Sequence, residues 1–84
     1  MAETVKAVVQ KVVRDGKHPY VVAIPEQGGE SITITLEKRV WRESEDPNPG
    51  EIVLLSKIRK NRRGWRAMRG RFLQPSDEQP AKEQ

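Results

Sequence analysis

Eight cations crowd one short stretch of this chain. Lys57, Arg59, Lys60, Arg62, Arg63, Arg66, Arg69 and Arg71 fall within residues 56–73, a window that holds no acid. Six of the eight are arginines, whose planar fork pairs bidentately with phosphate and stacks on bases. The chemistry open to such a run is polyanion binding. Each phosphate neutralised releases counterions, so affinity should fall steeply with salt. The rest of the chain does not share the charge: residues 1–55 carry a net of −2 and residues 74–84 another −2, against +8 in the window. An even spread would imply only a hydrated surface, whereas one concentrated stretch points to an anionic partner. The plain alternative is a solvated hairpin. The lack of interleaved acids favours the first reading, because like charges held together repel until a counter-charge arrives.

Four aromatics accompany the cations. Trp65 sits between arginines, where it could stack on a base or plug a barrel end as a buried tryptophan. Tyr20 opens an apolar run and is the better-placed stacking residue. Trp41 lies in a charged connector and is expected to close the barrel bottom, with Phe72 in the core. Lys17 and His18 precede Tyr20 and extend the candidate binding set. Lys38, Arg39 and Arg42 are diluted by Glu37, Glu43, Glu45 and Asp46.

Catalytic and metal chemistry find no support. The chain has no cysteine and one histidine, so neither a thiol nucleophile nor a zinc site of ordinary ligands can be assembled. Gly28-Gly29 lacks the Lys-Ser/Thr of a phosphate loop. The expectation is a protein that is not an enzyme, with no cofactor, no metal and no small-molecule substrate. Absent cysteines suit a reducing cytoplasm. No run of about 18 apolar residues suggests a membrane span, and Met1-Ala2-Glu3-Thr4 does not read as a signal peptide.

The elements that must carry these residues read as strands. Thr4–Val13 holds five valines and is apolar on both faces. Simple alternation puts Val5, Ala7, Val9 and Val13 on one face and Val8 and Val12 on the other. Asp15-Gly16 is a hairpin signal. Tyr20–Ile24 is a second strand, and Gly28-Gly29 sits in the next turn. Ser31–Leu36 alternates, with Ile32, Ile34 and Leu36 inward and Thr33 and Thr35 outward. Residues 37–46 suggest a short turn or helix, and Pro47-Asn48-Pro49-Gly50 is a break. Glu51–Ile58 is a fourth strand, with Lys60, Arg62 and Arg63 crowding the tip at Asn61–Gly64 and Trp65–Leu73 as the fifth. Residues 75–84 read as a disordered polar tail behind a single domain at 1–74. Five strands with the only helix candidate between the third and fourth is the plan of an all-β, OB-fold-like barrel. An SH3-like barrel is the alternative.

The run Pro49-Gly50-Glu51-Ile52-Val53, followed by Arg63-Gly64, Ala67 and Leu73, resembles the last two strands of cold-shock domains. The same stretch is similar to bacterial translation initiation factor 1 and its S1-type relatives, with P-G-D-x-V followed by R-G-R. The resemblance covers mainly residues 47–73. It implies an OB-fold that binds RNA or single-stranded DNA. Where the cold-shock pattern has K-G-F-G-F, this chain has Lys17-His18-Pro19-Tyr20-Val21-Val22. Where it has V-F-V-H-F, this chain has Ile32-Thr33-Ile34-Thr35-Leu36. One outward aromatic remains, so stacking should be limited and backbone contacts dominant. The expected partner is RNA or single-stranded DNA, bound by a monomer. The rival expectation is a protein-interaction module, ribosome- or polymerase-associated, whose hairpin docks on an acidic protein.

Overall fold

The computed structural model describes residues 4–74, so the tail expected at 75–84 lies outside the described residues. Five strands appear: β1 (Thr4–Val13), β2 (Tyr20–Pro25), β3 (Ile32–Thr35), β4 (Ile52–Asn61) and β5 (Gly64–Phe72). They close into a barrel in the order β1-β2-β3-β5-β4, with β4 returning to β1. β3 and β5 run parallel while every other pair is antiparallel. This is the strand order of an OB-fold-like barrel. Among the described residues no helix is long and apolar enough to cross a membrane.

The interior is lined by small and branched residues from all five strands. Ala7, Val21, Ala23, Val53, Leu55 and Ala67 are fully buried, with Val9, Ile32 and Ile34 close to it. The long first strand serves both halves of the barrel by changing phase. A bulge between Val9 and Lys11 shifts its register against β2, and such a bulge turns every later side chain to the other face. Val12 therefore pairs with the buried Val21 and packs against the core. Val13 pairs with the exposed Tyr20. Simple alternation assigned these two valines the other way round, because Gln10 carries no mark of the bulge.

The connector between β3 and β4 makes one turn and no helix. The Val40 and Trp41 amides both donate to the Glu37 carbonyl, at 2.9 and 2.7 Å. The turn drops Trp41 into the barrel's end, where it is 2% exposed. Its Nε1 donates to the Glu45 carbonyl at 2.7 Å, so the indole's one polar atom is satisfied under burial. Phe72 meets it edge-on, with centroids 5.0 Å apart at 84°. Gly70 N donates to Val40 O at 2.9 Å and Arg42 N to Gly70 O at 3.2 Å, which straps the connector to β5. Gly70 makes this approach possible. A Cβ there would lie 2.4 Å from Ile34 Cδ1, 3.1 Å from Leu55 Cδ2 and 3.2 Å from Trp41 Cε3.

The β4–β5 hairpin changes phase on both strands at one level. Toward the connector end the inward pairs are Val53/Phe72 and Leu55/Gly70; toward the tip the inward-facing pair is Ile58/Ala67. The register is nevertheless the same throughout. Lys57 makes the switch, with a φ of 53°, the one non-glycine residue of positive φ among those described. That backbone state is disfavoured for a residue with a side chain.

Candidate functional site

The tip of the hairpin is a two-residue turn. Asn61 pairs with Gly64, Arg63 N donates to Asn61 Oδ1 at 2.9 Å, and Gly64 takes a φ of 117°. Asparagine folds its side chain onto the turn and glycine supplies the positive φ, so Arg62 and Arg63 are left at the apex, both exposed. β4 runs further than expected, to Asn61. Lys60 therefore belongs to the strand opposite Trp65 rather than to the turn.

Strand pairing carries one row of outward residues around the wall: Lys11, Val22, Thr33, Arg66 and Arg59. A second row joins Val13, Tyr20 and Thr35. Between them and the hairpin runs a groove lined by Tyr20, Thr33, Thr35, Asn61, Arg63, Trp65 and Arg66. Thr33 Oγ1 donates to the Trp65 carbonyl at 3.3 Å, tying β3 to the hairpin base. Thr35 Oγ1 is enclosed without a hydrogen-bond partner. Tyr20 stands 36% exposed.

Trp65 meets both the core and the groove. It packs against the core cluster and is half-buried, yet its rim lines the groove. Lys60 Nζ stands 5.5 Å from the ring centroid, a cation–π contact.

Seven of the eight cations, Lys57, Arg59, Lys60, Arg62, Arg63, Arg66 and Arg69, are exposed and make no ion pair with a described carboxylate. Arg71 donates to the Phe72 carbonyl at 3.4 Å. The described acids that form ion pairs do so elsewhere: Glu26 with Lys6, Asp46 with Arg14, Glu37 with Arg39. Arg59 and Arg66 face each other directly across the strands, an arrangement that costs roughly 0.2–1 kcal/mol in a sheet.

The structure gathers part of the expected set and separates the rest. Tyr20, Arg63, Trp65 and Arg66 share the groove, Arg59 borders it, and Arg62 stands at the apex. Lys57 sits at the phase switch. Lys17 and His18 are exposed in the β1–β2 loop and do not line the groove. Arg69 and Arg71 lie on another stretch of wall, across from Ser56 and Leu54. Thr33, Thr35 and Asn61 line the groove without having been singled out. The outward phase of Ser31–Leu36 was the signal for the threonines.

No known protein family, curated protein or solved structure matches this chain.

Proposed function

We propose that this protein is a small nucleic-acid-binding module that grips a single strand of RNA or DNA through its phosphates. The observation that carries the reading is the placement of arginines that pair with no described carboxylate along one side of a groove that offers an exposed tyrosine on the other. Arg59, Arg62, Arg63 and Arg66 supply the phosphate contacts, and Tyr20 gives one base a stacking surface. Thr33 and Asn61 give the groove polar atoms along its wall. Few side chains there suit a base edge, so discrimination between sequences is weak. The chain acts as a binder in the cytoplasm, without catalysis.

A titration of labelled single-stranded RNA, read by fluorescence anisotropy at low and at moderate salt, tests the proposal. Binding that weakens steeply with salt is expected. No binding at low salt eliminates it.

A further inference from the structure

A second basic surface lies around the wall from the groove, on β1, β4 and β5. It is a shallow hollow with Leu54 in its lining, only 8% exposed, the hydroxyl residues Thr4 and Ser56 beside it, and Arg42, Arg69 and Arg71 at its rim. Two structural devices build it. The first is the strap between connector and barrel: the Arg42 amide bonded to Gly70 O and the Gly70 amide bonded to Val40 O fix Arg42 next to β5. The second is the phase switch at Lys57. Residues three apart on a regular strand point to opposite faces. Here Arg66 and Arg69 are both exposed, with Ala67 and Gly70 both buried between and beyond them.

Arg42 and Arg69 make no ion pair with a described carboxylate. Of the acids that follow Arg42, Glu43 accepts from the Phe72 amide at 3.1 Å, and Asp46 is held by Arg14 at 2.7 Å.

We infer that this hollow is a second phosphate-binding site, occupied by the continuation of the strand that fills the groove. The inference rests on the reading given under Proposed function. β5 belongs to both surfaces, and Arg66 and Arg69 are separated along it by roughly 10 Å at about 3.3 Å per residue. A strand leaving the groove past Arg66 meets Arg69 next, then Arg42. Guanidinium groups and hydroxyls around a small apolar floor suit phosphate and sugar. An acidic protein segment would need more apolar contact than Leu54 provides.

The experiment compares two RNA probes, a tetranucleotide that fills the groove and a dodecanucleotide that runs beyond it, lengths that span the footprint of about 4–16 nucleotides for one such barrel. Each is titrated against the wild type and the Arg42→Ala/Arg69→Ala double variant at several salt concentrations. Both side chains are exposed, and tetranucleotide affinity reports that the groove is intact. For the dodecanucleotide, the double variant should lose the gain conferred by length, and its logarithmic salt slope should fall by about 1.4, at about 0.7 per phosphate contact on a single strand. The tetranucleotide slope should not change. Equal effects on the two probes, or none on either, overturn the inference while leaving the groove reading in place. Failure of the wild type to bind either probe removes both.

Discussion

Replacing Arg62, Arg63 and Arg66 together with alanine should strip the groove of most of its charge and leave the barrel intact. All three side chains are exposed and none forms an ion pair with a described carboxylate, so no described ion pair is lost. Removing Arg66 also ends its cross-strand repulsion with Arg59, and stability should hold or rise slightly. Binding is where the loss appears. Four arginines border the groove or its apex, so a short RNA held there should show a logarithmic salt slope near −3, at about 0.7 per contact. Between 50 and 200 mM salt that slope costs the wild type about 50-fold in affinity, whereas a variant keeping only Arg59 should lose about 3-fold. The assay is fluorescence anisotropy with a 5′-phosphorylated, 3′-labelled tetranucleotide, which carries one phosphate for each of the four arginines, with urea unfolding as the folding control. An unchanged slope in a folded variant refutes the assignment of these arginines to the phosphates.

Tyr20→Ala should weaken the same RNA by roughly 1–3 kcal/mol without altering the salt slope, because a stacking surface is lost and no charge; isothermal titration at two salts separates the terms. Gly70→Ala should destabilise the barrel by about 1–2 kcal/mol. The new methyl would overlap the buried Ile34 and crowd Leu55 and Trp41, an overpacking cost only partly offset by the stiffer unfolded chain. Gly16→Ala is its control, since a methyl there meets nothing within 4 Å; equal urea midpoints for the two variants would count against the packing described. Thr35→Val should stabilise by about 1 kcal/mol, because it removes an enclosed hydroxyl that has no partner. A lowered unfolding midpoint would show that Oγ1 is satisfied in solution.

Much of this was legible in the residues. The alternation of Ile32, Ile34 and Leu36 gave the inward face of β3. The aromatic in the charged connector marked the barrel's closure at Trp41, and Pro47–Gly50 marked the break before β4. Two things escaped, for the same physical reason. The bulge that exchanges Val12 and Val13, and the switch at Lys57 that turns Arg69 outward, are backbone events at residues with no glycine or proline to announce them. Strict period-two reading fails beyond each. The split of the cations into a groove set and a wall set followed from the second event. The dual position of Trp65, packed on the core and bordering the groove, could not be read from its neighbours, because flanking arginines fit either role.

A heteronuclear NMR shift map of the labelled protein with a short single-stranded RNA tests the central claim most directly. The amides of Tyr20, Thr33, Thr35, Asn61, Arg63, Trp65 and Arg66 should move together in a saturable, salt-sensitive manner. Shifts that leave these seven unmoved and fall instead on the opposite end of the chain's surface, or no shifts at low salt, contradict it.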